Sequence, residues 1–283
     1  MQQTQTVVCP SCHAVLDSRD QTLSVLQQYQ AKMAFEPDLP LGTRGTMRGD
    51  PYEVSGFQVR SVRHDAAEYF WREYTLWNPY KGYRYLAEYN GHWCDFEITR
   101  IAPSELVTGR QPFVQYADTM FRHFRTTTVT TVFILGEFPW QCRSGDQMTS
   151  RDFIAPPRLL SEQVSSNRTV WALGTYLPSS VIWHAFARPG AAPPANGVFA
   201  AEPNPYAPLV RKRTRYAVVP MLFVAAAWAL RRAITPRSHW LGASWPYALL
   251  LAAMAIPATI AAVHASRFER DRWSTSDYAP DEM

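Results

Sequence analysis

The 283-residue chain is 47% hydrophobic and 18% charged, which supports a packed core and excludes a largely disordered protein. Its net charge of +4 comes from Arg and Lys gathered after residue 210, beside the most apolar stretches; that pattern points to a membrane flank and away from a nucleic-acid surface. Four cysteines (Cys9, Cys12, Cys94 and Cys142), with no signal-peptide pattern in the polar start of the chain, place the body in a reducing compartment, the cytosol.

In chain order, residues 1–36 are expected to form a knuckle and a short helix. Cys9-Pro-Ser-Cys12 is a CxxC motif, in which a tight turn brings two thiolates to one side so that both reach a single Zn²⁺. It supplies half of a four-ligand site, and no second CxxC or His pair follows, so zinc at Cys9 and Cys12 competes with an empty knuckle. With His13 the motif also spells c-type haem attachment, but that chemistry needs export. Leu23, Leu26 and Met33 lie at helical spacing between Asp20 and Phe35, predicting a short amphipathic helix ended by Pro37 and Pro40.

Residues 41–187 read as a β-rich domain of antiparallel meanders, barrel-like in one reading. Gly42, Gly45 and Gly49 lack the spacing of a phosphate loop and are taken as turn glycines. Around Gly56 the apolar positions switch from even (Tyr52, Val54) to odd (Phe57, Val59), the mark of a β-bulge. Three strands follow, at Phe70 to Trp77, Tyr83 to Tyr89 and His92 to Ile98. Asn90-Gly91 is a type I′ turn signal, and its two-residue register sets Tyr89 against His92, Ala87 against Cys94 and Tyr85 against Phe96. The opposite face then carries Arg84 against Glu97 and Glu88 against Trp93. The turn Asn78-Pro-Tyr-Lys-Gly82 leaves open which face of Phe70 to Trp77 joins the core.

These residues carry a resemblance. Gly42-Thr-Arg-Gly45, Gly56-Phe57, Trp71-Arg-Glu-Tyr74, Gly82-Tyr-Arg-Tyr-Leu86 and Asn90-Gly-His-Trp93 resemble the bacterial domain of unknown function (DUF) 4178 family. Leu135-Gly-Glu-Phe138 with Trp140, Asp152-Phe-Ile-Ala-Pro-Pro157 with Leu159-Leu-Ser161, and Val170-Trp-Ala-Leu-Gly174 with Tyr176 look like its second half. The resemblance spans about residues 5 to 187 and implies an N-terminal zinc-ribbon-like knuckle and a C-terminal membrane segment, with no activity attached. The family's second knuckle is missing from this chain. Members are often encoded near polyamine-synthase-like and membrane-stress-type proteins, an associational link only.

Val129 to Trp140 is apolar on both faces and predicts a strand covered on both sides. Thr131 to Phe138 and Thr169 to Tyr176 echo one another, as matching strands of one sheet or barrel would. Pro178 to Ala187 predicts a short helix, and residues 188–210, rich in proline, an extended linker. The apolar runs within 214–266 predict two transmembrane helices, about 214–232 and 240–265, followed by a polar tail at 267–283. Arg211, Lys212, Arg213, Arg215, Arg267, Arg270 and Arg272 flank the outer ends, against Arg231, Arg232 and Arg237 in the loop, which puts both termini in the cytosol.

No catalytic motif emerges. His92 shares a face with Cys94 and Phe96, away from Glu88 and Asp95, so no local dyad forms. Glu73 and Glu137 are the candidates for a functional buried carboxylate. The expected function is a membrane-tethered binding or scaffold module presenting Trp71, Glu73, His92 and Trp93 to a ligand, a protein partner or a second copy of the chain, with the bilayer as the other partner and no nucleic acid. The competing reading is a metal-dependent or hydrolytic enzyme that uses the knuckle or a buried carboxylate.

Overall fold

The computed structural model describes residues 4–9, 13–20, 25–27, 35–64, 67–106, 111–166, 168–234 and 240–279. Met1–Glu202 together with Ser276–Tyr278 form one compact unit, the body, and Pro203–Thr275 belong to a second.

The body is built on eight long or medium strands. Four come from the first half: β5 (Asp50–His64), β6 (Ala67–Asn78), β7 (Gly82–Tyr89) and β8 (His92–Ile98). Four come from the second: β11 (Thr119–Phe138), β12 (Gln147–Ala155), β13 (Arg158–Ser165) and β14 (Arg168–Pro178). Each neighbour pair is antiparallel in the order β11-β12-β13-β14-β8-β7-β6-β5, and β5 pairs back onto β11 from Gly56↔Gly136 to Arg60↔Thr131, closing a barrel. Short strands extend its margins: β1 (Thr6–Val8), β2 (Val15–Asp17), β3 (Val25–Gln27), β4 (Arg44–Met47), β9 (Ser104–Leu106) and β10 (Phe113–Tyr116).

The local signals explain the strand order. Asn90 and Gly91 take φ of 51° and 84°, the left-handed pair that a type I′ turn requires, and the β7–β8 register is the one read from sequence, with Tyr85↔Phe96, Ala87↔Cys94 and Tyr89↔His92. The bulge expected at Gly56 is present as a register shift between Val54 and Gly56 against β6. Pairing of Tyr74 with Leu86 settles the face left open by the preceding turn. Thr131 to Phe138 and Thr169 to Tyr176 lie on barrel strands β11 and β14, and the helix expected near residue 180 is α1 (Ser179–Ala185).

Closure divides the strand residues into two faces. Tyr74, Leu86, Trp93, Phe57 and Phe133 point outward and pack with Leu39, Met47, Ile182 and Phe186, so the segment before β4, β4 itself and α1 cover one outer patch. Phe121, Phe153 and Leu160 form a separate outer patch under Val114 of β10. Arg84, on the same outer face, grips Asp95 through two hydrogen bonds of 2.9 Å and reaches Glu97 at 3.1 Å. The turn residue Arg48 adds a further bond to Asp95 at 2.8 Å.

Three expectations change. Val25–Gln27, inside the stretch expected to be helical, is a strand paired with β2; an edge strand was free to take these residues, and the remaining residues of that stretch largely fall outside the described ones. The linker does not simply separate body from helices: Asn196 N donates to Asn90 O at 2.9 Å and Phe199 stacks on His92, so the chain to Glu202 belongs to the body. Its prolines hold it extended, and the β7–β8 turn offers it a seat. The polar tail is partly helical, because α3 (Trp240–Trp273) runs on through Arg267 and Arg270; α2 (Ala207–Ile234) likewise begins earlier than expected. Both helices are long and apolar enough to cross a membrane. After α3, Asp277 N donates to Phe124 O at 3.0 Å and its Oδ2 accepts from Thr126 N at 2.8 Å, returning Ser276–Tyr278 to the body.

Asp95 side chain is 1% exposed and Arg84 10%. Asp95→Ala is therefore expected to lower stability by about 3–5 kcal/mol by stranding a buried guanidinium. Arg44→Ala, which breaks an exposed pair with Glu53, should cost less than about 1 kcal/mol. Unfolding of the full chain in micelles, followed by tryptophan fluorescence, checks both.

Candidate functional site

The inner face of the barrel mixes buried apolar side chains, among them Cys94, Ile154 and Leu159, with a polar group of a kind that small barrels usually lack. Alternation along β5 and β6 turns Gln58 and Arg60 inward opposite Glu73 and Trp71. Glu73 is the hub of this group. Its Oε2 accepts from Gln58 Nε2 at 2.7 Å and its Oε1 from Trp71 Nε1 at 2.8 Å, while Arg60 Nε lies 3.3 Å from Oε2. The Gln58 carbonyl oxygen in turn accepts the Cys142 thiol at 3.6 Å.

A second acid faces the same space from β12. Ser150 Oγ donates to Asp152 Oδ1 at 3.3 Å and sits 3.2 Å from Ser161 Oγ, which also bonds to Asp152. Burial is the largest influence on Asp152 and pushes its pKa up; the serine hydroxyls and the cation of Arg125, its register partner, pull it down, and the charge of Glu73 raises it again. Glu73 on β6 and Asp152 on β12 thus share one electrostatic compartment. The Tyr85 hydroxyl, also inward, is buried without a hydrogen-bond partner among the described residues.

Aromatic groups stand at the two ends. Trp140 packs on Tyr85 at 5.6 Å and Phe138 at 5.5 Å. At the other end His92, 2% exposed, has Nε2 3.1 Å from the Asn196 carbonyl, which requires that nitrogen to donate and leaves Nδ1 to accept from Tyr176 Oη at 3.2 Å. Phe199 stacks on the imidazole at 5.6 Å, and Glu202 Oε2 is 3.8 Å from Nδ1.

Of the residues singled out from sequence, Trp71 and Glu73 are brought into direct contact inside the barrel. His92 shares their face but sits at its end. Trp93 is on the other face, stacked on Tyr74 at 5.4 Å and 1% exposed, so these four residues do not form one exposed surface. Glu137 is exposed and accepts from Thr4. Cys9 lies at the end of β1, its N–H bonded to Ala14 O, whereas Cys12 is outside the described residues. Among the described residues no group of three or more His, Cys, Asp or Glu could hold a metal. Sequence reading missed Gln58, Arg60, Arg125 and Asp152; the signal was there in Phe57-Gln-Val-Arg60, where polar residues alternate with apolar ones in a strand.

Residues 40–179 match the model of the family described as Domain of unknown function (DUF4178). No curated protein and no solved structure matches the chain.

The buried cysteines are poor nucleophiles: desolvation pushes Cys142 up to about 12 and raises Cys94 as well. Iodoacetamide at pH 8 is expected to leave both unmodified in the folded chain and to alkylate both after denaturation, as peptide mass mapping will show. Asp152 binds its proton more tightly folded than unfolded, where its pKa is 3.8, so its ionisation opposes folding increasingly as pH rises from 3.8 through the folded pKa. Asp152→Asn should accordingly stabilise the chain at pH 7 relative to wild type, by a margin that shrinks toward zero as pH approaches 4; unfolding midpoints across that range measure it.

Proposed function

From residues 40–179 as a DUF4178 domain, we propose that the chain is a membrane-tethered binding protein whose barrel takes one small polar ligand into its lumen. The observation that carries this reading is the group of Glu73, Arg60, Gln58 and Trp71 inside the closed barrel. An eight-stranded barrel has room for packed side chains or for one small ligand. Charges enclosed there cost several kcal/mol each in lost hydration, and apolar residues of similar volume would be more stabilising. A lumen lined in this way has the few convergent polar groups, with aromatic neighbours, that small-molecule sites use.

The tether is α2 with α3, and the basic residues at Arg211 to Arg215 and Arg267 to Arg272 favour a hairpin whose two ends face the cytosol.

Native mass spectrometry of the full chain, purified in maltoside micelles, tests the proposal. Wild type is expected to carry a stoichiometric small molecule that denaturation releases, and Glu73→Gln and Trp71→Phe to carry it at reduced occupancy. Wild type that is empty, or equal occupancy in all three, would contradict it.

A further inference from the structure

We propose that the ligand of this lumen is a small oxyanion, a carboxylate or phosphate group, seated on Arg60 with Arg125 as the second cation. The inference rests on the reading of the lumen as a binding site and names the chemistry that the site accepts.

The inward groups differ in how much hydrogen-bonding capacity they have left over. Both oxygens of Glu73 already accept neutral donors, from Gln58 and Trp71. Asp152 is served by two serine hydroxyls. The acids are therefore satisfied. Arg60 is not: it is 4% exposed, its Nη1 donates only to the Met148 thioether at 3.5 Å, and its Nε has no hydrogen bond although it lies 3.3 Å from Glu73. A guanidinium has five N–H donors and no acceptor, and a thioether is a weak acceptor, so most of its capacity is unspent in a place that water reaches poorly.

Arg125, half-buried, is the second cation. Its register opposite Asp152 turns it inward, where its charge acts on that acid, and among the described residues its side chain makes no hydrogen bond or close ion pair. Both acids are already served by neutral donors while both cations keep donors to spare, and an acceptor-rich group fits that imbalance. The planar fork of an arginine matches two oxygens of a carboxylate or phosphate in parallel. Trp140 at one end and His92 with Phe199 at the other restrict the occupant to a small group or to the head of a larger molecule.

The test uses the full chain in maltoside micelles, which contain no phosphate. The unfolding midpoint is followed during titration with sodium phosphate, sodium acetate or dihexanoyl phosphatidic acid, each against sodium chloride at matched ionic strength. A saturable rise with at least one of the three, absent with chloride, is expected. Arg60→Gln should weaken that response about tenfold or more, as loss of a charged hydrogen-bond donor does. Arg125→Gln should weaken it to a lesser degree and keeps the test open if Arg60→Gln does not fold. Arg44→Gln, on the exposed outer surface, should leave it unchanged.

A response to phosphate or acetate assigns a soluble ligand, and a response to the phosphatidic acid alone assigns a lipid headgroup; both support the oxyanion. No response to any of them, or the same response in Arg60→Gln and Arg125→Gln as in wild type, indicates an adventitious ion or only water at Arg60 and overturns the proposal. If the denatured wild-type chain then still releases a neutral or cationic compound, the oxyanion falls while the lumen remains a binding site.

Discussion

The pairing of β5 with β11 is the constraint on which the body depends. Where the two strands meet, Gly56 stands opposite Gly136, a Cβ on Gly56 would run into the Glu137 carbonyl, and Gly136 holds a left-handed φ of 87°. Side chains at that crossing would keep the strands apart. Once they join, no strand among the eight has a free edge along the joint, and each residue is committed to the inside or the outside. The polar group inside and the aromatic clusters outside both follow from that commitment.

The energetic consequence is that much of the apolar burial lies outside the barrel wall. Tyr74, Trp93, Phe57 and Phe133 gain their burial from elements laid over the barrel, at about 1.5–3 kcal/mol for each large side chain withdrawn from water. The segment around Leu39, the strand β4, the helix α1 and the strand β10 are therefore structural necessities. The lumen contributes little by comparison, since desolvating Arg60 and Glu73 offsets most of their attraction. The outer clusters carry much of the apolar burial, and Ile134, Phe138 and Cys142 add a smaller cluster with Val8 and Val15. The stretch from Pro194 to Glu202, which contacts His92 through Asn196 and Phe199, comes shortly before α2 in the chain.

Much of this was legible in the residues. The Asn90-Gly91 turn fixed a register that the structure repeats pair for pair, because a type I′ turn and a two-sided strand pattern specify alignment together. The bulge at Gly56, the helix after Pro178 and the two apolar helices were readable for similar local reasons. A barrel-like body was among the readings, but the strands that close it were not legible, since closure joins β5 to a strand some seventy residues later and no local pattern encodes that partner. Without closure the inside could not be told from the outside. Trp93 and Glu73 then looked like members of one surface, although one lies in the outer core and the other in the lumen. Val25–Gln27 fit a helical period equally well and went to a strand because an edge was free to pair.

A high-resolution experimental structure of the full chain, purified without phosphate or carboxylate buffers, bears most directly on a lumen organised around Glu73 to hold a polar ligand. The expected result is compact density between Arg60 and Arg125, larger than a water, with Gln58 and Trp71 still bonded to Glu73. A lumen in which Arg60 swings to a protein acceptor and apolar side chains fill the space would contradict it.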